Sequence, residues 1–253
     1  MKVIQIMLWC MTFVLAAMVC YSGYRLFGIR YNYAQEAEMH SSLMPFRPTS
    51  QALPIYNVPS YTSTLIVNQS IIDLQTKYPD IIGWLTIPNT RVDYPFAQSA
   101  DNDFYLYRDL DANRSQAGTI FMDFRNNNDF SDFSTILFGH NMRNGSMFGT
   151  LQSFNNATFF DENRTGIIFL ANKTYNLEFI AFAVIGPNDL VIYNPNITTE
   201  TDKIAFAEHV RNIARHYRNI DITIDDQIII LSTCSYEFDN ARMVLIGRIR
   251  AIC

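Results

Sequence analysis

One cysteine, one histidine and one arginine occupy positions in this sequence that suggest nucleophilic chemistry. Cys234 follows the apolar run QIIILST, and Arg242 opens the next apolar run after the polar loop SYEFDNA. His140 follows the run TILFG and precedes the turn-forming segment NMRNG. The sequence therefore predicts that all three side chains lie at strand ends, where binding and catalytic sites are commonly built.

These residue types would support acyl transfer. Cysteine attacks as a thiolate, and a nearby imidazolium or guanidinium stabilises that negative charge. His140 is suited to this role and to protonating a leaving amine, while the permanently charged Arg242 is suited to stabilising an oxyanion. Residue types alone still favour a structural Cys234 and a solvated Arg242, because most chains contain a cysteine, a histidine and an arginine.

The elements that must position these residues are mainly β-strands. Eight short apolar runs are separated by polar turns, and this pattern is typical of a mainly antiparallel β-barrel. The runs are IGWLTI, VDYPFA, AGTIFM, TILFG, TGIIFLA, YNLEFIAFAVIG, QIIILST and MVLIGRIRA. NQSIIDLQTKYPD predicts a helix before the barrel, with Ile71, Ile72, Leu74 and Tyr78 as its apolar face.

A longer helix is predicted over TTETDKIAFAEHVRNIARHY, residues 198–217. Thr199 and Asp202 resemble a capping box at its start. Its apolar positions recur at helical spacing. They are Ile204, Ala207, Val210, Ile213, Ala214 and Tyr217.

The N-terminal segment Val3–Tyr21 contains 19 residues without a charge, which is about the length needed to cross a bilayer as a helix. We interpret residues 1–30 as a retained membrane anchor, with a cleaved signal peptide and a lipoprotein processed at Cys20 as alternatives. Residues 31–64, rich in Tyr, Pro, Ser, Asn and Gln without a sustained apolar period, are interpreted as a stalk or linker. Residues 65–253 form the predicted catalytic domain.

Composition excludes several classes of protein. With 253 residues, of which 49% are hydrophobic, the chain can bury a substantial core. The only charged residues among the first 30 are three basic ones, so residues 31–253 carry 16 basic against 24 acidic residues. This net charge of −8 argues against nucleic acid as a partner.

The four cysteines form no disulfide framework, although a single bridge between Cys234 and Cys253 stays an alternative. His209 and His216 lack partners at metal-ligand spacing, so we interpret them as surface or packing residues.

Two motifs resemble those of a known family. LSTCSYEFDNARMVLIGRI is similar to the active-site segment of sortases, the membrane-anchored cysteine transpeptidases of Gram-positive bacteria, and FGHNMRNGSMFGTL is similar to their histidine segment. The helix before the barrel and the long helix before QIIILSTC resemble class B sortases in particular. This resemblance implies a closed sortase barrel, with Cys234 as nucleophile, His140 as general acid and base, and Arg242 as the oxyanion donor.

The resemblance also implies the substrates. A sorting signal on a surface protein would be cleaved after its threonine, and an amine of a peptidoglycan precursor or a pilin would accept the acyl group. Ser232 and Asn102 match candidate substrate-binding positions, although the Ser232 hydroxyl is equally suited to satisfying backbone groups. Tyr236 and its neighbour Glu237 are candidates for the leaving-group side, or simply exposed turn residues. No cofactor and no metal are expected, and the domain would lie outside the cell membrane, facing the wall.

Several alternatives stay open. Ile230 stands where the family often has threonine, and Cys253 is an additional thiol. A papain-like hydrolase using Cys234 and His140 would usually place the cysteine first, whereas here the histidine precedes it by 94 positions. A non-catalytic peptide-binding module is a further alternative. The sequence does not distinguish a signal of the Asn-Pro-x-Thr-Asn type from variants ending in Gly, or protein anchoring from pilus polymerisation.

Overall fold

The computed structural model describes residues 2–49, 67–235, 237 and 239–251, which fall into two compact units, Met1–Ser42 and Leu43–Cys253. The first unit is formed by helix α1 (Lys2–Leu43). No charged residue occurs between Val3 and Tyr21, and the helix is long and apolar enough to cross a membrane.

Helix α1 is longer than the predicted anchor. Residues 31–43, which the sequence assigns to the stalk or linker, continue the helix. The segment YNYAQEAEMHSSL contains neither Gly nor Pro and is rich in Ala, Gln, Glu and Met, which are good helix formers. The helix ends just before Pro45, which lies in a short 3-10 helix (Met44–Phe46). The remainder of the predicted stalk, from residue 50, lies outside the described residues, and the domain boundaries at residues 30 and 64 stay predictions.

The second unit is a closed barrel with helices on its outside. Its elements are α2 (Gln69–Lys77), β1 (Ile81–Thr86), β2 (Asp93–Ala97), β3 (Ile120–Met122), β4 (Ser134–Phe138), a 3-10 helix (Gly149–Asn155), α3 (Ala157–Glu162), β5 (Thr165–Leu170), β6 (Thr174–Ile185), α4 (Glu200–Ile213), β7 (His216–Tyr217), β8 (Gln227–Cys234) and β9 (Arg242–Ala251).

Eight strands close the barrel in the order β5-β1-β2-β3-β4-β8-β9-β6, and β6 pairs back onto β5. The pairs β2–β3 and β4–β8 are parallel, while the other neighbours are antiparallel. The predicted mainly antiparallel barrel is therefore confirmed, and each of the eight apolar runs overlaps one of its strands. The ninth strand, β7, is a two-residue addition to the edge of β6.

Strand β8 shows how the two faces of the barrel wall arise. Successive side chains of a strand point to opposite faces. Ile229 and Leu231 pack in the barrel interior, whereas Ile228 and Ile230 pack against a second, outer cluster. The same alternation carries Ser232 and Cys234 to the outer face. Ile230, which stands where the family often has threonine, is fully buried. Its side chain therefore packs in the outer cluster and does not line the cleft.

Helix α4 covers this outer face. Its N-cap prediction is confirmed, because the Thr199 hydroxyl oxygen accepts a hydrogen bond from Asp202 N at 3.1 Å. Phe206 and Val210 are fully buried on the outer cluster, and the ring of Phe206 meets Phe133 edge-to-face at 5.5 Å. Burying a side chain of this size contributes about 1.5–3 kcal/mol.

The predicted extent and face of this helix need correction. Helix α4 ends at Ile213, and His216 and Tyr217 form β7 instead, pairing with β6. The pairing with β6 outweighs the helical pattern here, since it gives these residues backbone hydrogen bonds on the barrel. Ile204 is 52% exposed, because the buried face is centred on Phe206 and Val210.

Helix α2 packs as expected through Ile71, Leu74 and Tyr78, all of which are buried. Its fourth predicted contact is wrong, because Ile72 is 36% exposed.

Candidate active site

Cys234 is the last residue of β8, on the outer face of the barrel wall. Residues 228–233 of this strand are buried, whereas Cys234 is partly exposed and has a free thiol. The thiol is thus held by a rigid strand and remains accessible. Cys253, the predicted alternative partner for a disulfide, lies outside the described residues.

Arg242 lies directly opposite Cys234. The two residues are the last pair of the regular antiparallel ladder between β8 and β9, so their side chains emerge on the same face. Arg242 Nη1 donates to the carbonyls of Asn240 and Ala241 at 3.1 and 3.2 Å. These two hydrogen bonds to its own loop orient the guanidinium, and Arg242 also lines the cleft described below.

His140 is held from two sides. Its Nε2 lies 2.6 Å from the carbonyl oxygen of Leu106, and its ring contacts the ring of Tyr107 with centroids 5.5 Å apart. A carbonyl can only accept, so Nε2 carries a hydrogen in this arrangement and Nδ1 is left to exchange a proton. The next residue, Asn141, donates from Nδ2 to the carbonyl of Cys234 at 2.9 Å and so joins the histidine and cysteine segments.

A cleft of about 290 Å³ contains these three residues. Its floor includes Phe121, Phe138 and Ser232, which are neighbours across β3, β4 and β8. Ser232 is 1% exposed, and its hydroxyl is 2.9 Å from the hydroxyl of Tyr193. Burial raises the pKa of Tyr193, so this hydroxyl stays protonated at neutral pH. Tyr193 thereby links the segment before α4 to the cleft floor.

The end of the cleft beyond this floor is polar. Asp123 follows β3, and Arg125 Nε and Nη2 bind its two carboxylate oxygens at 2.9 and 2.7 Å. Burial raises the pKa of Asp123, but the hydrogen bonds and charge of Arg125 outweigh that effect and leave the pKa below its ordinary value. Asn102 Oδ1 accepts from Phe124 N at 3.0 Å and completes this polar end.

Comparisons with known proteins place this geometry in a family, although no family model matches the sequence. The chain is 36% identical over 186 residues to sortase B of Listeria monocytogenes, covering 72% of this chain and 75% of that protein. The chain belongs to the class B sortases. The structure of Bacillus anthracis sortase B in complex with AAEK1 has a TM-score of 0.75 at 26% identity, covering 88% of this chain and 99% of that one. A Staphylococcus aureus sortase B–substrate complex has a TM-score of 0.69 at 25% identity, covering 74% and 87%.

Membership of this family makes the chain a cysteine transpeptidase of the kind that anchors or processes surface proteins. The cleft of this sortase brings together five of the six site residues that the sequence predicts. They are Cys234, His140, Arg242, Ser232 and Asn102. The sixth, Tyr236, lies outside the described residues.

Other candidates take structural positions in this sortase. The two Nη atoms of Arg215 donate hydrogen bonds to the two carboxylate oxygens of Glu237, each at 2.8 Å. This ion pair connects the loop between Cys234 and Arg242 to the turn after α4. His209 pairs with Asp189 at 2.8 Å, and His216 Nε2 lies 2.8 Å from the carbonyl of Asn155. Both histidines are therefore packing residues, as predicted.

Sequence reasoning missed four contributors to the site of this sortase. They are the Leu106 carbonyl, Asn141, Tyr193 and the Asp123–Arg125 pair. A backbone carbonyl has no side-chain signature, and Tyr193 and Arg125 reach the cleft only through tertiary packing. Within the ranges that the structure describes, no group of three or more His, Cys, Asp or Glu side chains gathers as metal ligands.

Proposed function

We propose that this sortase cleaves a C-terminal sorting signal after its threonine through a thioester on Cys234 and passes the acyl group to an amine. The observation that carries this proposal is the pairing of Cys234 with Arg242 at the end of the β8–β9 ladder, in a cleft that His140 also lines. This arrangement supplies a nucleophile, a permanent cation and a proton carrier within one cleft.

The first half-reaction forms the thioester. The Cys234 thiolate attacks the threonine carbonyl carbon, forming the S–C bond and placing negative charge on the carbonyl oxygen. Arg242 stabilises that oxygen through N–H groups that its loop carbonyls leave free. The C–N bond then breaks, and the protonated His140 gives its proton to the departing amine.

The second half-reaction releases the product. The acceptor amine attacks the thioester carbonyl and loses a proton to His140, which the first step left neutral. Collapse of the tetrahedral intermediate forms the new amide and regenerates the Cys234 thiolate. A peptidoglycan precursor or a pilin lysine supplies this amine in the proposal, and no cofactor takes part.

The substrate lies along the cleft floor in this proposal, with Ser232 and Asn102 beside the signal. Ser232 contributes a hydroxyl oriented by Tyr193, since the two oxygens are 2.9 Å apart. Tyr236 is retained as a residue on the leaving-group side, one position from Glu237 in the same loop.

Helix α1 is proposed as a single-pass anchor that places the catalytic unit outside the cell membrane, facing the wall. Its apolar length supports this role. Residues on the described part of the helix from Val3 to Phe27 have mostly exposed side chains, which suits contact with lipid.

The test incubates the full-length protein in detergent with a panel of sorting-signal peptides, with and without an amine, and follows Cys234 by intact-protein mass spectrometry. We expect an acyl adduct that the amine resolves into a ligated peptide. Cys234→Ala should abolish both while leaving thermal unfolding nearly unchanged, because a small substitution at a partly exposed strand end costs little packing.

The remaining outcomes separate the alternatives. Release of peptide at a rate indifferent to the amine would indicate a hydrolase. Peptide binding without adduct, unaffected by Cys234→Ala, would indicate a binding module. Either result would contradict transpeptidation by this site.

A further inference from the structure

The segment 105–108, in the connection between β2 and β3, supplies the contacts that orient His140. The carbonyl oxygen of Leu106 lies 2.6 Å from His140 Nε2, and the ring of Tyr107 contacts the imidazole ring. Both contacts come from outside the loop that carries the histidine. The position of this segment therefore decides where the imidazole lies.

The other carbonyls of the segment bind the chain just before β3. Thr119 N donates to the carbonyl of Tyr105 at 3.0 Å, and the Thr119 hydroxyl donates to the carbonyl of Arg108 at 2.9 Å. Ser115 N donates to the carbonyl of Tyr107 at 3.0 Å. These three hydrogen bonds fasten the segment to the residues that lead into β3.

A fourth hydrogen bond fastens the segment to the residue before β1. Tyr105 is 4% exposed, and its hydroxyl donates to Asp80 Oδ2 at 2.7 Å. Burial raises the pKa of Tyr105, so the hydroxyl keeps its proton and stays a donor at neutral pH. Neither Tyr105 nor Asp80 is among the described residues that line the cleft. Their hydrogen bond can therefore act on His140 through the segment, rather than by touching the substrate.

Gly118 allows the segment to lie this close to the start of β3. Its φ of +60° is a left-handed conformation that glycine adopts without steric cost. A Cβ at this position would lie 2.5 Å from the carbonyl oxygen of Leu106 and 2.7 Å from that of Tyr105. Any larger residue would therefore push the segment away, together with the carbonyl that binds His140.

We propose that Gly118 is a positioning residue for His140, because it admits the Leu106 carbonyl that fixes the ring with Nε2 protonated and Nδ1 free to exchange the proton. Tyr105 is a second positioning residue, through its hydrogen bond to Asp80. The proposal rests on the proposed function, since it assigns proton transfer to His140. A displacement of about 1 Å at a reacting group can cost about 10²-fold in rate, so a change at Gly118 should affect chemistry from outside the cleft.

The kinetic test uses the full-length protein in detergent, an amine, and the sorting-signal peptide that acylates the wild type fastest. Rates are expressed per folded molecule, with the folded fraction taken from circular dichroism at the assay temperature. Gly118→Ala should lower kcat by about 10²-fold and leave KM within about twofold.

Gly83→Ala is the matched control. A Cβ on Gly83 would also lie 2.5 Å from a backbone carbonyl oxygen, that of Phe169, but Gly83 lies in β1 and does not line the cleft. This variant should lose stability, as Gly118→Ala does, and keep kcat within about threefold of the wild type.

A spectroscopic test observes the ring itself. Nitrogen-15 NMR of histidine-labelled protein at alkaline pH, where the ring is neutral, distinguishes its two tautomers, and the His140→Gln variant identifies the signal. The wild type should show His140 with Nε2 protonated, because the Leu106 carbonyl can only accept. Gly118→Ala should show a mixture of both tautomers, which a loss of stability alone would not produce.

Tyr105→Phe provides a milder variant that keeps the buried ring. It removes the hydrogen bond to Asp80 and should lower kcat about fivefold. Tyr217→Phe removes a hydroxyl that donates to the carbonyl of Ile220 at 2.8 Å, away from the segment, and should leave kcat unchanged.

Three results would overturn the proposal while leaving the proposed function intact. They are a kcat for folded Gly118→Ala within threefold of the wild type, a rise in its KM alone, and a wild-type His140 with Nδ1 protonated. If Gly118→Ala does not fold, a kcat for Tyr105→Phe equal to that of Tyr217→Phe overturns the proposal. If no peptide acylates Cys234 although an alkylating reagent labels it, the proposed function fails, and the tautomers still decide whether the segment orients the ring.

Discussion

Replacing Arg242 by lysine tests the proposed oxyanion donor most directly. Arg242 uses Nη1 for the carbonyls of Asn240 and Ala241, which leaves Nε and Nη2 without a partner among the described residues. A lysine ammonium is a single point donor, so it can bind the loop carbonyls or reach the oxyanion but cannot reproduce the fork that does both. We therefore expect Arg242→Lys to remove the oxyanion interaction rather than to weaken it slightly.

The expected loss of kcat follows from the role of Arg242 as an oxyanion donor. Loss of one preorganised oxyanion donor lowers kcat by about 10²–10³, or roughly 2.7–4 kcal/mol of transition-state stabilisation. Stability should change by less than about 1 kcal/mol, because Asn240 is exposed and water can replace the lost hydrogen bond. Since the interaction strengthens only in the transition state, KM should change little.

The assay is steady-state amide ligation by the full-length protein in detergent, accompanied by thermal unfolding. Arg248→Lys is the matched control, because Arg248 lies on the same strand and pairs with Glu178 at 2.6 Å, outside the cleft. It should retain kcat within about twofold. A kcat for Arg242→Lys within fivefold of the wild type would refute the oxyanion role, and an increase in KM alone would assign Arg242 to ground-state binding.

Three further predictions address stability and the cleft floor. Arg218 is 7% exposed and donates to three main-chain carbonyls, so Arg218→Met should lower the free energy of unfolding by about 2–4 kcal/mol in denaturant titrations, and a loss below about 0.5 kcal/mol would contradict that role. Hydrogen bonds from Arg215 hold the pKa of Glu237 below its ordinary value of 4.5, so this ion pair stabilises the fold above about pH 4.5 and is lost as pH falls through the lowered pKa. Glu237→Gln should therefore differ from the wild type in thermal unfolding at neutral pH and converge with it in acid, whereas a constant difference would exclude the ion pair as the cause. Tyr193→Phe removes the hydroxyl that lies 2.9 Å from the Ser232 hydroxyl and should lower kcat/KM about 3- to 10-fold. If the two hydroxyls act as a unit, adding Ser232→Ala should lower kcat/KM little further. A double-mutant cycle measures this coupling.

The barrel was predictable because its local signals agree with its tertiary structure. Each apolar run has strand length, is rich in β-branched or aromatic residues and ends in polar turns, so periodicity and turn chemistry indicate the same element. Cys234, His140 and Arg242 each adjoin one end of a run, which predicts their place at strand ends. The resemblance of their segments to the sortase motifs then distinguishes them from their neighbours.

The local pattern fails where pairing with distant strands decides the structure. His216 and Tyr217 continue a helical periodicity, yet they pair with Phe182 and Ala181 of β6, more than thirty residues earlier. Arg125 is similarly inconspicuous in the segment FRNNND, and only the packing of β3 beside the Tyr193 segment brings it to the cleft. Contacts of this kind depend on register, which no local window contains.

The pairing of Cys234 with Arg242 illustrates what register adds to a motif. The motif places the two residues eight positions apart, a spacing that a loop alone could realise in many ways. In the structure the β8–β9 ladder runs from Gln227↔Ile249 to Cys234↔Arg242 without a shift. A slip of one residue would turn Arg242 to the opposite face of the sheet from the thiol. The apolar residues of both strands, which fill the barrel interior on one face and pack under α4 on the other, oppose such a slip. The burial that stabilises the barrel therefore also fixes the arginine beside the nucleophile.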